Sequence, residues 1–463
     1  MIQTALQTGF TPEAFDRFLR ERREPDWLVT LRREAWDIFS SLPLPERRQE
    51  EWMRTDIRGF RLEDFTFPEL PSPASGRGAG ARGLSQFSFD VSAGDAENGA
   101  VPFPRPLLAE NVQLAGTAVS LDSSAYQAHL DPYWASRGVL FGSLDQMVID
   151  HGPLLRPHLL RRAVAPGYDK FAALQAACWS GGTLLYVPKG VVIEQPLHIL
   201  SALGPGGVDL SRSLVVLDEG AEVTLLAETA SVDASATGLH CGGAELLLGP
   251  GSRLRYVHLQ NWGAGVWHFA HQKALVGRDA SLQWTIGALG SRLAKVNQHV
   301  ALCGEGARAQ VNGVMFTDGR QHLSYHTLQH HQAPHCTSDL LYKGALQGSS
   351  RIVWRGMIRV DRDAQKTDGY QRDDNLILSE SARADSIPGL EIQADDVKCS
   401  HGATAGRVDD EQVFYACARG LTPQEAIRMI VAGFFQQVFD RITIESVRHA
   451  LGEAIGRRIR EFQ

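Results

Sequence analysis

A weak repeat of about thirty residues constrains this chain more than any other feature of its sequence. Small-residue turns at Gly190-Val191, Gly220-Ala221, Gly251-Ser252, Asp279-Ala280, Gly306-Ala307, Ser349-Ser350 and Ser381-Ala382 each open a strand-like run, among them AEVTLLAE, SRLRYVHLQ, ASLQWTI and SRIVWRGMIRV. The first five turns are 30, 31, 28 and 27 residues apart; the next gap is 43 and the last 32. A unit of this size cannot bury its own apolar face, so units recurring at this period bury it on one another and grow one core along an axis. The runs are β-branched and aliphatic with hardly any helical period, which predicts a mainly β chain with a parallel β-helix core over 166–416. A β-sandwich would lack so even a repeat. The 43-residue gap predicts an inserted loop or an extra half-coil.

Helical signals flank the repeat. Thr11 and Pro12 supply an N-cap and a proline at the first helical position, followed by Phe15, Phe18, Leu19, then Trp27, Leu28, Leu31, Ala35 and Phe39 at helical spacing, with Pro25 dividing the run into two helices. This predicts an N-terminal helical region over 1–70. A connecting region follows over 71–165, and its stretch from Pro71 to Gly99 is rich in Gly, Ser, Pro and Ala and reads as a mobile linker. The close glycines of Gly76 to Gly83 have no preceding strand or following helix, so disorder is a better reading there than a phosphate loop. At the other end, 417–463 predicts a helical domain. Thr422-Pro423-Gln424-Glu425 is a capping box, and Ala426/Ile427, Ile430/Val431, Phe434/Phe435, Val438/Phe439 and Ile442 form a stripe two residues wide. A second helix carries Ile444, Val447, Leu451, Ile455, Ile459 and Phe462. One helical neighbour hardly covers so wide a stripe, so a partner surface and plain core packing are matched as explanations.

Charge and missing motifs exclude several functions. At 463 residues and a net charge of −7, the chain lacks the basic footprint of a nucleic-acid binder. No run of 18 apolar residues occurs, and MIQTALQTGFTPEAFDRF has neither the basic nor the apolar part of a leader, which predicts a cytoplasmic protein without membrane contact. Six scattered cysteines, at 178, 241, 303, 336, 399 and 417, suit buried free thiols rather than a disulfide framework. There is no G-x-x-x-x-G-K-[ST]; the one Lys-Thr pair, Lys366-Thr367, follows Gln365, and no bound nucleotide is expected. No nucleophile elbow and no C-x-x-C pair occur. Without these motifs a scaffold role stays open beside an enzymatic one. The alternative is a β-helix carbohydrate enzyme using Asp361, Asp363, Lys366, Asp368, Arg372, Asp373 and Asp374, against which stand the missing secretion signal and the C-terminal helices.

Two stretches offer metal ligands. In Ala394 to Tyr415, ADDVKCSHGATAGRVDDEQVFY, the thiol of Cys399 and the imidazole of His401 lie two positions apart and share a face if the stretch is a strand. Sulfur beside nitrogen suits iron, zinc or copper better than magnesium or calcium. One such pair lacks the four ligands of a closed site, and Cys399 as a small core residue beside a hydrogen-bonded His401 is the competing reading. The second stretch is His322, His326, His330, His331, His335 and Cys336. Its context favours a strand, where residues four apart are separated by roughly 13 Å, so a structural or polar-surface role outweighs transient iron or copper contact. His258, His268 and His271 are scattered and read as ordinary.

The stretch around Cys399 also carries a family likeness. ADDVKCSHGAT followed by GR, DDEQ and FY resembles the SufD signature of the SufB/SufD family, which serves the SUF iron-sulfur cluster assembly complex. AQKTD at 364–368, NLILS at 375–379, ADSIPGLE at 384–391, APHC at 333–336 and LYKG at 341–344 resemble the same family. So do KFAALQAACWSGGTLLYVPKG at 170–190, QNW at 260–262, and EPDWL at 24–28 with Arg32 and Ala35. The resemblance implies a right-handed parallel β-helix core flanked by N-terminal and C-terminal helical domains. It implies a non-ATPase assembly subunit that pairs with SufB, docks the SufC ATPase on its C-terminal helices, and is capable of a SufD homodimer. On that basis Phe434, Phe435, Val438 and Phe439 are expected to contact the ATPase or support that contact. His401 is the expected ligand for iron or an iron-sulfur cluster held transiently with SufB, and Cys399 a possible helper. Where SufB places its cluster cysteine this chain has Ile392, which cannot ligate a metal and argues for SufD over a SufB-type scaffold.

Overall fold

The computed structural model describes residues 9–68 and 103–460, and the thirty-residue repeat forms a parallel β-solenoid of about eight turns. Its coils turn through a column of left-handed residues. Gly190, Gly220, Gly251, Asp279, Gly306, His335 and Lys366 all have φ between 55° and 71°. The amide of each donates to a carbonyl one coil on: Gly190 to Glu219, Gly220 to Pro250, Gly251 to Arg278, Asp279 to Glu305, Gly306 to Pro334, His335 to Gln365 and Lys366 to Asp396. The 43-residue gap is therefore not an insertion; it spans one coil and the half-coil that leads from one sheet to the other. Ser349-Ser350 and Ser381-Ala382 open strands of the opposite sheet, whereas the column continues from Gly306 to His335 and Lys366 at ordinary spacing. Histidine and lysine carry no turn signal because a β-carbon makes this conformation cost about 1–2 kcal/mol, and here the solenoid imposes it.

Two sheets wind around the axis. One takes Gly116–Leu121, Leu197–Leu203, Glu222–Ser231, Arg253–Asn261, Ser281–Ala288, Arg308–Thr317, Thr337–Leu346, Thr367–Ile377 and Val397–Arg407. The other takes Thr183–Val187, Arg212–Leu217, Thr237–Leu248, Gly265–Val276, Leu293–Leu302, His322–His331, Arg351–Val360 and Arg383–Ile392. Neighbours within these rows are parallel, which rules out the sandwich. Inward residues stack from coil to coil, with Tyr256, Trp284, Tyr342 and Trp354 buried in one continuous core. Outward faces are covered as well, so the strands run apolar on both sides and hide the simple alternation of a half-exposed strand.

The second sheet is covered by the N-terminal helices Pro12–Arg22 and Asp26–Ser41 together with Lys170–Cys178. Thr11 accepts the amide of Ala14 and Pro25 separates the two helices, as their sequence predicts. Buried Glu24 bridges Arg22 and Arg32 at 2.7 and 2.6 Å, and Arg32 donates to the Ala177 carbonyl at 2.9 Å. Over the first sheet lies the hairpin of Pro423–Phe439 and Glu445–Arg460, whose capping box of Thr422 and Glu425 is fully formed. The stretch Pro71 to Gly99, with its glycines 76–83, and Phe462 lie outside the described residues.

The two ends of the solenoid differ. At the first, Ser124–Leu130 and Leu140–Ser143 are the outermost strands, each paired antiparallel with its one neighbour. At the last, Arg383–Ile392 and Val397–Arg407 each have a single strand neighbour among the described residues. That coil is open along both sheets.

Candidate functional site

Cys399 and His401 lie on the open coil, in strand Val397–Arg407. Cys399 is in register with Gly369 and His401 with Gln371, and the two side chains share the inward face, as expected for a strand. Cys399 leans on the small cluster of Ile358, Val360, Ala364 and Ala394, and burial pushes its thiol up. A thiol held protonated is a poor ligand, which favours packing for Cys399. His401 is exposed, and among the described residues no further coil covers it.

Across the same rim stand Leu390 and Ile392, 37% and 40% exposed, in register with the fully buried Ile358 and Val360 one coil below. Residues with the pattern of solenoid core are thus laid open by the absence of a next coil. Just inside, Asp373 accepts hydrogen bonds from Ser386 Oγ and Asn375 Nδ2, each at 2.6 Å, and burial pushes its carboxyl up to about 7. Among the described residues no three His, Cys, Asp or Glu side chains are grouped to hold a metal ion. His401 stands exposed at the rim, outside any such group.

The second histidine stretch is a strand, His322–His331, and its members are separated. His326 Nδ1 lies 3.0 Å from Glu51, His330 Nε2 lies 2.9 Å from Asp361, and His331 Nε2 lies 2.8 Å from Ser338. His335 sits at a left-handed turn and Cys336 is buried. His326, His330, His331 and Cys336 each have a separate partner, in keeping with structural roles, whereas the buried Nε2 of His322 has none. The acidic row of the carbohydrate alternative is also divided: Asp373 faces inward, whereas Asp374 faces outward against Arg372 at 2.9 Å. No shared groove results.

Sequence reasoning passed over the deepest polar cluster. His240 Nδ1 and His268 Nδ1 are 2.6 Å apart inside the solenoid, both fully buried, and burial pushes His240 down to about 3. They form a neutral pair in which one imidazole donates to the other. The signal was their parity with Leu246 and Ala270, inward neighbours on the same strands.

In the C-terminal hairpin, Phe435 and Val438 are fully buried against the first sheet, and Phe434 and Phe439 are partly buried there. The exposed apolar surface is elsewhere. Met429 is 55% exposed on the first hairpin helix, and Phe414 and Tyr415 are 75% and 62% exposed on the preceding helix Asp410–Ala418. Exposed aromatic and methionine side chains are enriched at interaction surfaces.

A parallel solenoid buttressed by helices on both sheets, its last coil edged by two parallel strands, is a repeat scaffold whose exposed edges suit pairing with another chain. The core of this chain, residues 200–434, matches the family model "SUF system FeS cluster assembly, SufBD core domain", and residues 114–199 match "SufBD protein N-terminal region". Iron-sulfur cluster assembly protein SufB of Bacillus subtilis is 27% identical over 440 residues, covering 95% of this chain and 91% of that protein. Iron-sulfur cluster assembly SufBD family proteins of Staphylococcus epidermidis and Staphylococcus aureus are each 26% identical over 441 residues, with the same coverage. The chain belongs to the SufBD family of iron-sulfur cluster assembly proteins. Among its described residues no helix is long and apolar enough to cross a membrane.

Proposed function

We propose that this chain is the SufD-type subunit of a SUF complex, a scaffold that binds no nucleotide itself. Its open coil pairs with a SufB subunit, whose own solenoid edges cover Leu390, Ile392 and the unpaired backbone of the last two strands. The SufC ATPase docks on the C-terminal helices. Met429, Phe414 and Tyr415 provide exposed contact, Phe434 and Phe439 flank it, and Phe435 with Val438 hold the hairpin in place from beneath. Iron or a nascent iron-sulfur cluster is cargo at the interface. His401 offers its neutral imidazole to the iron, and the thiolate ligand comes from SufB.

The observation that carries this reading is the exposed His401 on an open coil whose facing strand ends in Ile392 rather than cysteine. A SufB-type scaffold is the second reading, favoured by the 27% identity to the Bacillus protein. Reconstitution with SufB and SufC separates the two. The SufD-type reading expects cluster formation only with SufB present, and a His401→Ala chain that joins the complex yet assembles little cluster. Undiminished assembly by that variant would sink the ligand role. Cluster assembly by this chain with SufC alone would support the SufB-type reading.

A further inference from the structure

The strand that carries His401 is held at its outer face by one side-chain contact. Thr404 Oγ1 donates to Asp374 Oδ1 at 2.7 Å, and among the described residues this is the only side-chain hydrogen bond on the outer face of Val397–Arg407. Asp374 is 3% exposed and lies beside Lys343, with Nζ 3.9 Å from Oδ2. Lys343 is itself 7% exposed, and its ammonium donates to the Phe434 carbonyl at 2.9 Å and sits 4.5 Å from the centre of the Phe434 ring. Lys343, Asp374 and Thr404 are in register across three successive strands of the first sheet. One lateral row thus leads from the middle of helix Pro423–Phe439 to a point three residues from His401 on the same strand.

Physical chemistry makes this row sensitive to the helix. A buried ammonium needs its partners, so Lys343 follows the Phe434 carbonyl or loses it. An edge strand with a single neighbour is among the least constrained parts of a sheet. Withdrawal of Lys343 leaves Asp374 with Arg372, whose Nε is 2.9 and 3.0 Å from the carboxylate oxygens, and shifts where that carboxylate holds Thr404. The helix keeps an independent tie, Arg441 to Asp339 at 3.0 Å, so the row is not what fastens the hairpin to the sheet.

We propose that Lys343 and Asp374 are positioning residues that transmit displacement of helix Pro423–Phe439 to strand Val397–Arg407 and so set the position of His401. The proposal rests on the ATPase-docking reading of the C-terminal helices. It is tested by hydrogen–deuterium exchange of residues 397–407 in the complex with the SufB and ATPase partners, with and without a non-hydrolysable ATP analogue. The unsubstituted complex should change its exchange in this strand when nucleotide binds. Lys343→Met and, as a second variant at the exposed edge, Thr404→Val should keep the ATPase bound yet reduce the nucleotide-driven change roughly fivefold or more, and Lys343→Arg should restore it. A full nucleotide response in both variants overturns the proposal, as does loss of the ATPase from both. A strand that ignores nucleotide although the ATPase binds the hairpin overturns the proposal alone. Failure of the ATPase to bind the hairpin overturns the docking reading with it.

Discussion

His401 and Cys399 differ by two positions and by most of their physics. The imidazole is exposed on an uncovered strand, so His401→Ala should change the unfolding free energy by less than about 0.5 kcal/mol in chemical denaturation while cluster content in the reconstituted complex falls. Cys399 packs on Ile358 and Ala364, so Cys399→Ser puts a hydroxyl into an apolar corner. That variant should cost about 1 kcal/mol in chemical denaturation and leave cluster content close to that of the unsubstituted chain. Their common face was legible in the sequence because a strand alternates. Their difference in burial was not, because it depends on Gly369 and Ile358, which lie 30 and 41 positions before Cys399. Likewise, nothing local to His240 or His268 announces that the two nitrogens meet.

Among the elements, the turn column and the C-terminal hairpin carry the clearest tests. A methyl group added at Gly190 would meet only open space, but φ there is 69°, so Gly190→Ala should cost about 1 kcal/mol through backbone strain alone. His335→Gly should do the reverse and raise the unfolding free energy by roughly 0.5 kcal/mol in chemical denaturation, since histidine already bears that strain. In the hairpin, Phe435→Ala should lose about 3–5 kcal/mol and expose the C-terminal helices to limited proteolysis. Phe414→Asp with Met429→Asp should leave thermal stability nearly unchanged and abolish co-elution with the ATPase. The two-residue-wide stripe was visible from the sequence, but which half faces the sheet was not. A helix period gives the angle between residues and never names the neighbour.

For the molecule as a whole, buried histidines set the response to acid. Burial pushes His240 and His299 down to about 3, and His258, His322, His326 and His331 down to about 4. Below about 6.5 the unfolded chain takes up these protons and the folded chain does not, so the stability they contribute is present above about 6.5 and lost as pH falls towards 4. Asp373, pushed up to about 7, works the other way over the same range, as do Asp122 and Asp209, also raised by burial, but these three carboxyls oppose the six imidazoles together with His158 and His268, which burial lowers too. Thermal midpoints should therefore drop steeply between pH 6.5 and 4; a flat profile over that interval would contradict the burial of these rings. By itself the sequence determined the coil period, the parallel β architecture, the helical flanks with their caps, and the shared face of Cys399 and His401, because each follows from spacing along one short stretch. Only the tertiary structure decided that the wide gap was a change of sheet, that Phe435 and Val438 are covered, and that the last coil stands open with His401 at its rim. Those outcomes depend on which coils stack and where stacking stops, a matter of contacts between residues thirty or more positions apart.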